Sequence, residues 1–177
     1  DLTHIDLVHI FNITRPYESY LQMKNTQRWN KKIVFSPLYQ EFDEWDEKGR
    51  AGAQKFFTHI VKNKNTKEFI KNTLRYSFFL KHTTVLKTIF VKKYEAFQKE
   101  LLMNADLVTP TSQLEWEDIS KHFSVHKPYQ VIHNGVDLDF ADAAPEQFIK
   151  KYRLKDFFLS VANFSSIKNH LNLIRAI

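Results

Sequence analysis

The sequence predicts an α/β domain with a mostly parallel sheet. Short apolar, β-branched runs alternate along the chain with longer segments of helical periodicity, which is the order of parallel strands and their crossover helices. Hydrophobic residues make up 43% of the chain and aromatic residues 15%, enough for a sizeable core. The chain has no cysteine, which excludes a disulfide framework and a thiolate metal site.

Five runs have the length and composition of strands. The second of them ends at Ser36-Pro37, because proline cannot continue the ladder of hydrogen bonds. The predicted strands lie at residues 5–13, 31–39, 105–112, 128–134 and 157–163.

Helical periodicity fills the segments between these runs. Helices are predicted at 49–62 and 66–84, and the stripe Leu86, Phe90, Tyr94, Phe97 and Leu101 predicts a third that faces the core. Ser112 and Glu115 form a capping box that opens a helix ending at Phe123. Further helices are predicted after Pro145 and from about Asn169.

Gly135 is one of only three glycines in 177 residues, so we expect it where the backbone requires a glycine. Asn134-Gly135 follows an apolar run and precedes an acidic, proline-bounded stretch, which argues against a hairpin. We predict that the sheet ends here and that the chain crosses to a second domain between Asp137 and Pro145. Residues 1–140 then form the first domain, and 141–177 a linker and the start of the second.

The positive charge of the chain is concentrated in residues 61–99. Ten lysines and arginines stand there against two glutamates, a net charge of +8, whereas the whole chain carries +6. Aromatic residues are interleaved with these cations, a pattern shared by membrane-docking surfaces and by single-stranded nucleic-acid binders. Helices rather than an aromatic sheet carry the charge, which favours the membrane.

Several kinds of catalytic or metal site are excluded or disfavoured by the motifs. The three glycines form neither a dinucleotide-binding loop nor a Walker loop, and no nucleophile elbow is present. His122 and His126 are four residues apart, but Lys127-Pro128 ends the helix, so exposed loop histidines are the better interpretation. Asp137-Leu138-Asp139 matches the D-x-D of metal-dependent sugar transferases and is also typical of a solvated turn.

Residues 105–177 carry a series of motifs in a characteristic order. "ADLVTPTSQLEWEDISKHFSV" is followed by "YQVIHNGVDLDF" and then by "FFLSVANFSSIKNH". The series resembles the retaining glycosyltransferases of family four, and "DLVHIFN" and "KKIVFSPLY" near the start resemble that family more weakly. The resemblance implies a GT-B fold, in which two Rossmann-like domains with helices on both faces of each parallel sheet meet across a cleft.

The resemblance also implies site residues and partners. Lys168 stands where the family binds the diphosphate of a nucleotide-sugar, Asn163 replaces the usual arginine, and Ser165 and Ser166 add hydroxyl donors. Asn134 and Gly135 mark the loop at the cleft. The acceptor-side candidates are Asn12, Arg15 and Tyr39, although Leu38 and Tyr39 do not match the histidine found there in many members; His133 replaces the usual proline.

The implied reaction moves a sugar from a nucleotide-sugar to a hydroxyl of a saccharide or lipid-linked acceptor in cell-surface glycan assembly, with no cofactor, metal or nucleic acid. We expect the paired catalytic glutamates beyond Ile177 and the first strands before Asp1, so that this chain alone is inactive. A metal-dependent transferase using Asp137 and Asp139, a nucleic-acid-binding domain and an inert homologue remain alternatives.

The expected location is cytoplasmic, at the inner face of a membrane. The sequence begins without the basic start of a signal peptide, and no apolar run approaches the roughly 18 residues that span a bilayer. The expected membrane-facing residues are Lys87, Lys92 and Lys93.

Overall fold

The computed structural model describes residues 2–40, 63–79, 83–140, 142, 144–154 and 157–177. The described residues divide into two compact units, one ending at His133 and the other beginning at Asn134. The helix predicted at 49–62 lies outside the described residues. The predicted crossing between Asp137 and Pro145 stays a prediction.

The first unit contains a three-stranded parallel sheet in the order β1-β2-β3. Its strands are β1 (Leu7–Phe11), β2 (Lys32–Ser36) and β3 (Leu107–Val108). Leu7 is paired with Lys32, and Val34 with Leu107. This sheet confirms the α/β class, the parallel arrangement and the first three predicted strands.

Of the strands predicted at 128–134 and 157–163, the first is confirmed only in part and the second is wrong. In the first, Tyr129 forms an isolated parallel bridge to Val108, and Gln130 N–H and Ile132 N–H donate to Val108 O and Pro110 O at 3.0 and 2.9 Å, so the run lies beside β3 without forming a full strand. In the second, Phe158 and Val161 are 78% and 86% exposed. A strand needs a neighbour for its backbone hydrogen bonds, and the described part of the second unit contains no strand that could provide them.

Seven α-helices occur in the described part of the chain. α1 was not predicted, although Pro16 at its first position and Glu18 in its first turn are start signals. The seven helices have the bounds α1 Pro16–Arg28, α2 Lys64–Leu74, α3 Thr83–Ile89, α4 Tyr94–Asn104, α5 Gln113–Phe123, α6 Glu146–Tyr152 and α7 His170–Ala176.

The local start signals predicted the later helices correctly. Ser112 Oγ accepts a hydrogen bond from Glu115 N–H at 3.1 Å and caps α5, as the capping box requires. α6 follows Pro145, and α7 follows Asn169. The helix predicted at 66–84 begins as α2, but a π-helical segment, Arg75–Phe79, interrupts it.

The stripe from Leu86 to Leu101 is not one helix, which corrects the prediction. α3 ends at Ile89, Val91 N–H closes a turn on Thr88 O at 3.0 Å, and α4 begins at Tyr94. The four residues between α3 and α4 change the direction of the chain. Residues spaced three or four apart across this break therefore no longer lie on one face of a helix. Phe97 is fully buried, whereas Phe90 is 65% exposed.

The larger core cluster draws on one face of the sheet. Ile10, Ile33, Phe35 and Val108 pack there with buried residues of α1, α4 and α5. The alternate residues of β1 lie on the opposite face, where Leu7 and Phe11 are about half exposed, at 49% and 51%.

A second, aromatic cluster joins α1, the π-helical segment, α3 and α4. Its buried members are Tyr17, Tyr76, Val85, Ile89, Tyr94 and Phe97. Burial raises the pKa of Tyr17 and of Tyr76 to about 12, and it raises the pKa of Tyr94 further. The Tyr94 hydroxyl is satisfied, because it donates to Thr14 O at 2.9 Å.

Gly135 does not occupy a position that requires glycine, so that expectation is wrong. No other atom lies within 4 Å of a Cβ built there, and its φ lies outside the left-handed region. Left-handed backbone occurs instead at residues with side chains: Asn12, Asn30, Leu38, Ser124, Arg153 and Asn169. Asparagine tolerates this conformation better than most residues, because its short polar side chain bonds locally.

Replacing Phe97 by Ala is expected to lower the free energy of unfolding by about 3–5 kcal/mol, the usual effect of removing a buried aromatic ring. Phe90→Ala is the matched control from the same sequence stripe, and its effect should stay within about 0.5–1 kcal/mol because Phe90 is largely exposed. Urea denaturation measures both. Equal losses would contradict the break between α3 and α4.

Asp106 should make the free energy of unfolding depend on pH in the acidic range. A hydrogen bond from Lys32 Nζ at 2.8 Å and another from Ile33 N–H at 2.9 Å hold the pKa of Asp106 below its usual value. Because the folded pKa is depressed, this contribution is present above the unfolded pKa of about 3.9 and is lost as pH falls through the folded value. In urea unfolding, Asp106→Asn should therefore be less stable than the parent at pH 7, with a smaller gap at pH 2. A gap independent of pH would contradict this assignment.

Candidate functional site

The carboxyl ends of the three strands form the candidate site of the first unit. β1 leads into Asn12, β2 into Pro37 and β3 into Thr109, so three loops leave the same edge of the sheet. Ligands of open parallel sheets bind at this edge, because the loops there can diverge around a crevice. We call residues 12–15, 37–39 and 109–111 the carboxyl-edge loops.

The loop after β1 is shaped by Asn12. Its backbone is left-handed, with φ of 77°, and its Oδ1 accepts hydrogen bonds from Thr14 N at 2.9 Å and Thr14 Oγ1 at 2.5 Å. Ile13 N–H donates to Pro37 O at 2.7 Å, which ties this loop to the next one. The Asn12 side-chain oxygen is therefore used to build the loop.

Two side chains of α4 donate hydrogen bonds to the same loop, and the loop ends at the cationic Arg15. Gln98 Nε2 donates to Ile13 O at 3.1 Å, and Tyr94 donates to Thr14 O. Arg15 then occupies the N-cap position of α1. Its side chain is 49% exposed and lies 4.0 Å from Glu18, so the guanidinium remains accessible at the edge.

The loop after β2 is strained. Leu38 has a φ of 48°, which is uncommon for a bulky residue and costs on the order of 1–3 kcal/mol. The next residue is fixed, because Tyr39 N–H donates to Glu115 Oε1 at 2.6 Å. Backbone strain of this kind persists only where the surroundings hold it in place.

Glu115 connects two of the carboxyl-edge loops. Its carboxylate accepts from Tyr39 N through Oε1, and from Thr111 N at 2.6 Å and Thr111 Oγ1 at 2.7 Å through Oε2. The residue is only 7% exposed. The capping-box pattern predicted its place on α5, but its carboxylate binds the loops and not the backbone of Ser112.

Tyr39 was predicted as an acceptor-side residue, and its backbone does lie at the edge. Its ring, however, packs against His122 and Phe123 of α5, with centroid distances of 5.9 and 5.8 Å. His122 Nε2 in turn lies 3.9 Å from Glu95 Oε1. The accessible side chain among the three acceptor-side candidates is therefore that of Arg15.

Two exposed histidines near this edge were not predicted as site residues. His9 Nε2 lies 2.8 Å from Ser36 Oγ, which lies 2.7 Å from Thr109 Oγ1. His133 Nδ1 lies 2.9 Å from Thr111 O, so this nitrogen donates to the carbonyl oxygen. The alternation of side chains along β1 could have identified His9, because it places His9 on the face of the sheet away from the buried Ile10.

The predicted donor-diphosphate residues lie together in one turn of the second unit. Ser165 Oγ donates to Asn163 Oδ1 at 3.3 Å, and Lys168 N–H donates to Ser165 O at 3.0 Å. His170, which was not predicted, holds the turn: its Nε2 donates to Asn163 O at 3.2 Å. Asn134 and Gly135, the residues predicted to mark the loop at the cleft, also belong to this unit, but they lie at the start of its segment 134–177. Ser166 lies in the short 3-10 helix Ser166–Lys168.

The D-x-D residues shape their own turn. Asp137 Oδ1 accepts from Asp139 N at 3.1 Å, as in a capped turn before the 3-10 helix Leu138–Phe140. Across the ranges that the structure describes, no three histidine or carboxylate side chains cluster in a way that could hold a metal ion.

Of the predicted membrane-facing lysines, Lys87 lies on α3, and Lys92 and Lys93 lie in the connection before α4. Lys87 and Lys93 are exposed. Lys92 forms an ion pair with Glu100, whose second oxygen lies 3.5 Å from Lys24 Nζ. The hydrogen bond to Glu100 raises the pKa of Lys92. In the described residues, no helix combines the length and apolarity required to cross a bilayer.

Comparison with known proteins gives one relative. The chain is 36% identical over 78 residues to N-acetylgalactosamine-N,N'-diacetylbacillosaminyl-diphospho-undecaprenol 4-alpha-N-acetylgalactosaminyltransferase of Campylobacter jejuni subsp. jejuni serotype O:2. The match covers 43% of this chain and 20% of the relative, so the aligned segment spans about a fifth of that enzyme's length. No protein-family model matches the chain, and no solved structure matches it significantly.

Replacing Glu115 by Ala is expected to lower the free energy of unfolding by roughly 2–4 kcal/mol, because two backbone N–H groups at Tyr39 and Thr111 lose their acceptor. Glu117→Ala, which removes an exposed carboxylate from the same helix, should change it by less than about 0.5 kcal/mol. Urea denaturation measures both, and amide exchange at Tyr39 and Thr111 should accelerate only in the first variant. Unchanged exchange there would contradict the role of Glu115 as the connection between the loops.

Proposed function

We propose that this chain belongs to a glycosyltransferase that moves a sugar from a nucleotide-sugar to a hydroxyl acceptor. The single observation that carries the proposal is the 36% identity over 78 residues to a bacterial N-acetylgalactosaminyltransferase. The parallel sheet supports it, because its carboxyl edge is where such a fold places a ligand crevice.

The finer proposal is a retaining enzyme of family four with a GT-B architecture. Residues 1–140 would then belong to the acceptor-side domain, and residues 141–177 would begin the nucleotide-sugar-binding domain. The carboxyl-edge loops would form the acceptor side of the cleft, with Arg15 as the cation available to an anionic acceptor. Hydrogen bonds to Glu115 and Asn12 would keep these loops rigid, which lowers the entropy lost on binding.

Lys168 is the proposed contact for the donor diphosphate. The diphosphate gains charge as the bond to the sugar breaks, so a fixed cation beside it stabilises the transition state. Lys168 N–H and the side chains of Ser165 and Asn163 order the turn that presents this lysine. Asn163 can donate hydrogen bonds but brings no charge, so Lys168 would carry the electrostatic part alone.

The proposed acceptor is lipid-linked, and the enzyme would act in cell-surface glycan assembly at the inner face of a membrane. The relative's name describes an acceptor on diphospho-undecaprenol. A lipid-linked acceptor requires the enzyme to meet the bilayer, and the exposed Lys87 and Lys93 favour contact with an anionic surface.

A transfer assay of the full-length enzyme, with a panel of nucleotide-sugars and a polyprenyl-diphosphate-linked acceptor, tests the proposal. Lys168→Ala should lower transfer by about two to three orders of magnitude, the scale for losing an electrostatic transition-state contact. Lys150→Ala is the matched control, because Lys150 is an exposed lysine of the same unit, and it should leave transfer unchanged.

The outcomes separate the alternatives. Equal rates in the two lysine variants would remove Lys168 from the donor site. Absence of transfer with every donor, together with gain of nucleoside-diphosphate binding in Asn163→Arg, would favour the inert homologue. The anomeric configuration of the product, read by NMR, tests retention, and inversion would exclude family four.

A further inference from the structure

The turn between α3 and α4 exposes two apolar side chains. Phe90 is 65% exposed and Val91 67%, and they are adjacent at the tip of the turn. The Phe90 ring is held edge-on to Phe69 at a centroid distance of 5.2 Å, so it is positioned although it is exposed. This exposed apolar pair is therefore available to an apolar ligand that reaches the turn.

A cavity of about 580 Å³ lies beside this turn. Its size falls within the range of about 300–1,000 Å³ for small-molecule sites. Tyr17, Phe69 and Tyr94 form aromatic walls, while Asn63, Thr66 and Lys93 supply polar atoms. The cavity therefore fits a molecule with an apolar part and a polar or anionic part.

The charges around the cavity favour an anionic ligand. Lys92 and Lys93 line the cavity, its described lining residues include no carboxylate, and the nearby Glu100 is paired with Lys92 and Lys24. Lys93 lies on the cavity wall, is exposed, and forms no ion pair with any residue that the structure describes. A lysine ammonium without a partner is a suitable point charge for a phosphate.

The cavity adjoins the carboxyl-edge loops through shared residues. Tyr94 lines the cavity and donates its hydroxyl proton to Thr14 O of the loop after β1. Tyr17 also lines it, two residues after Arg15 at the start of α1. A molecule anchored in the cavity can therefore extend its polar end toward the edge of the sheet.

We propose that this cavity and the α3–α4 turn bind the phosphate end of an isoprenoid lipid. Lys93 binds the phosphate, and Phe90 and Val91 contact the first isoprene units where the chain leaves the bilayer. The inference rests on the proposed function, since such a lipid would carry the acceptor sugar. It assigns to the lipid a site in the first unit, separate from the proposed donor contact at Lys168.

Co-sedimentation of the full 177-residue chain with vesicles tests the site without any sugar transfer. Three preparations are compared: phosphatidylcholine alone, phosphatidylcholine with undecaprenyl diphosphate, and phosphatidylcholine with enough phosphatidylglycerol to give the same surface charge. Binding should be strongest to the vesicles with undecaprenyl diphosphate. It should weaken with salt, because exposed charges are screened over about 10 Å at 0.1 M.

Two pairs of variants localise the contact. Lys93→Glu should weaken binding to the undecaprenyl diphosphate vesicles roughly tenfold, whereas Lys121→Glu, the same charge change at an exposed lysine of α5 outside the cavity, should retain most of it. Phe90→Asp should weaken it by a similar roughly tenfold factor. Leu114→Asp, at an exposed apolar position on α5, should not. Circular dichroism confirms that each variant is folded.

Equal binding to the phosphatidylglycerol vesicles would overturn the proposal in favour of a general anionic surface. Equal losses in Lys93→Glu and Lys121→Glu would do the same, and so would no binding to any vesicle at low salt. Failure of the proposed function is distinguishable, because Lys168→Ala should abolish transfer but leave vesicle binding intact. Vesicle binding by this chain, together with absence of transfer by the full-length enzyme, would support the lipid site and contradict the proposed function.

Discussion

The carboxyl edge of the sheet depends on one buried carboxylate. Glu115 accepts hydrogen bonds from the loop after β2 and from the loop after β3, at distances of 2.6–2.7 Å. A buried charge is tolerated only where hydrogen bonds replace its lost hydration, and three donors do so here. Because the donors come from two loops, the interaction that stabilises the charge also fixes the loops relative to each other.

This constraint extends to the strained backbone and to the neighbouring loop. Leu38 can remain left-handed because Tyr39 beside it is held by Glu115. The loop after β1 is joined to the same region through Ile13 and Pro37, and α4 supports it from below through Tyr94. Tyr94 thus connects the two proposed sites. It lines the proposed lipid cavity, and its hydroxyl donates to the loop after β1 at the proposed acceptor edge.

The sequence predicted features that depend on neighbours along the chain. The strand ends at Ser36-Pro37, the cap of α5 at Ser112 and the start of α6 after Pro145 were all predicted correctly, because proline geometry and side-chain capping act within a few residues. The stripe through Phe90 failed because spacing alone does not show where a helix stops. The strand predicted at 157–163 did not form, because a strand-like composition does not ensure that an adjacent strand is present for the backbone hydrogen bonds.

The sequence by itself determined the α/β class, the parallel arrangement of the sheet and the resemblance that names Lys168, since these follow from composition, periodicity and motif order. Only the tertiary structure decided that the carboxylate of Glu115 binds two loops and that the Tyr39 ring packs against α5. It also decided that Phe90 is exposed beside a cavity. These are contacts between residues far apart in the chain, and a local pattern contains no information on which distant groups will meet.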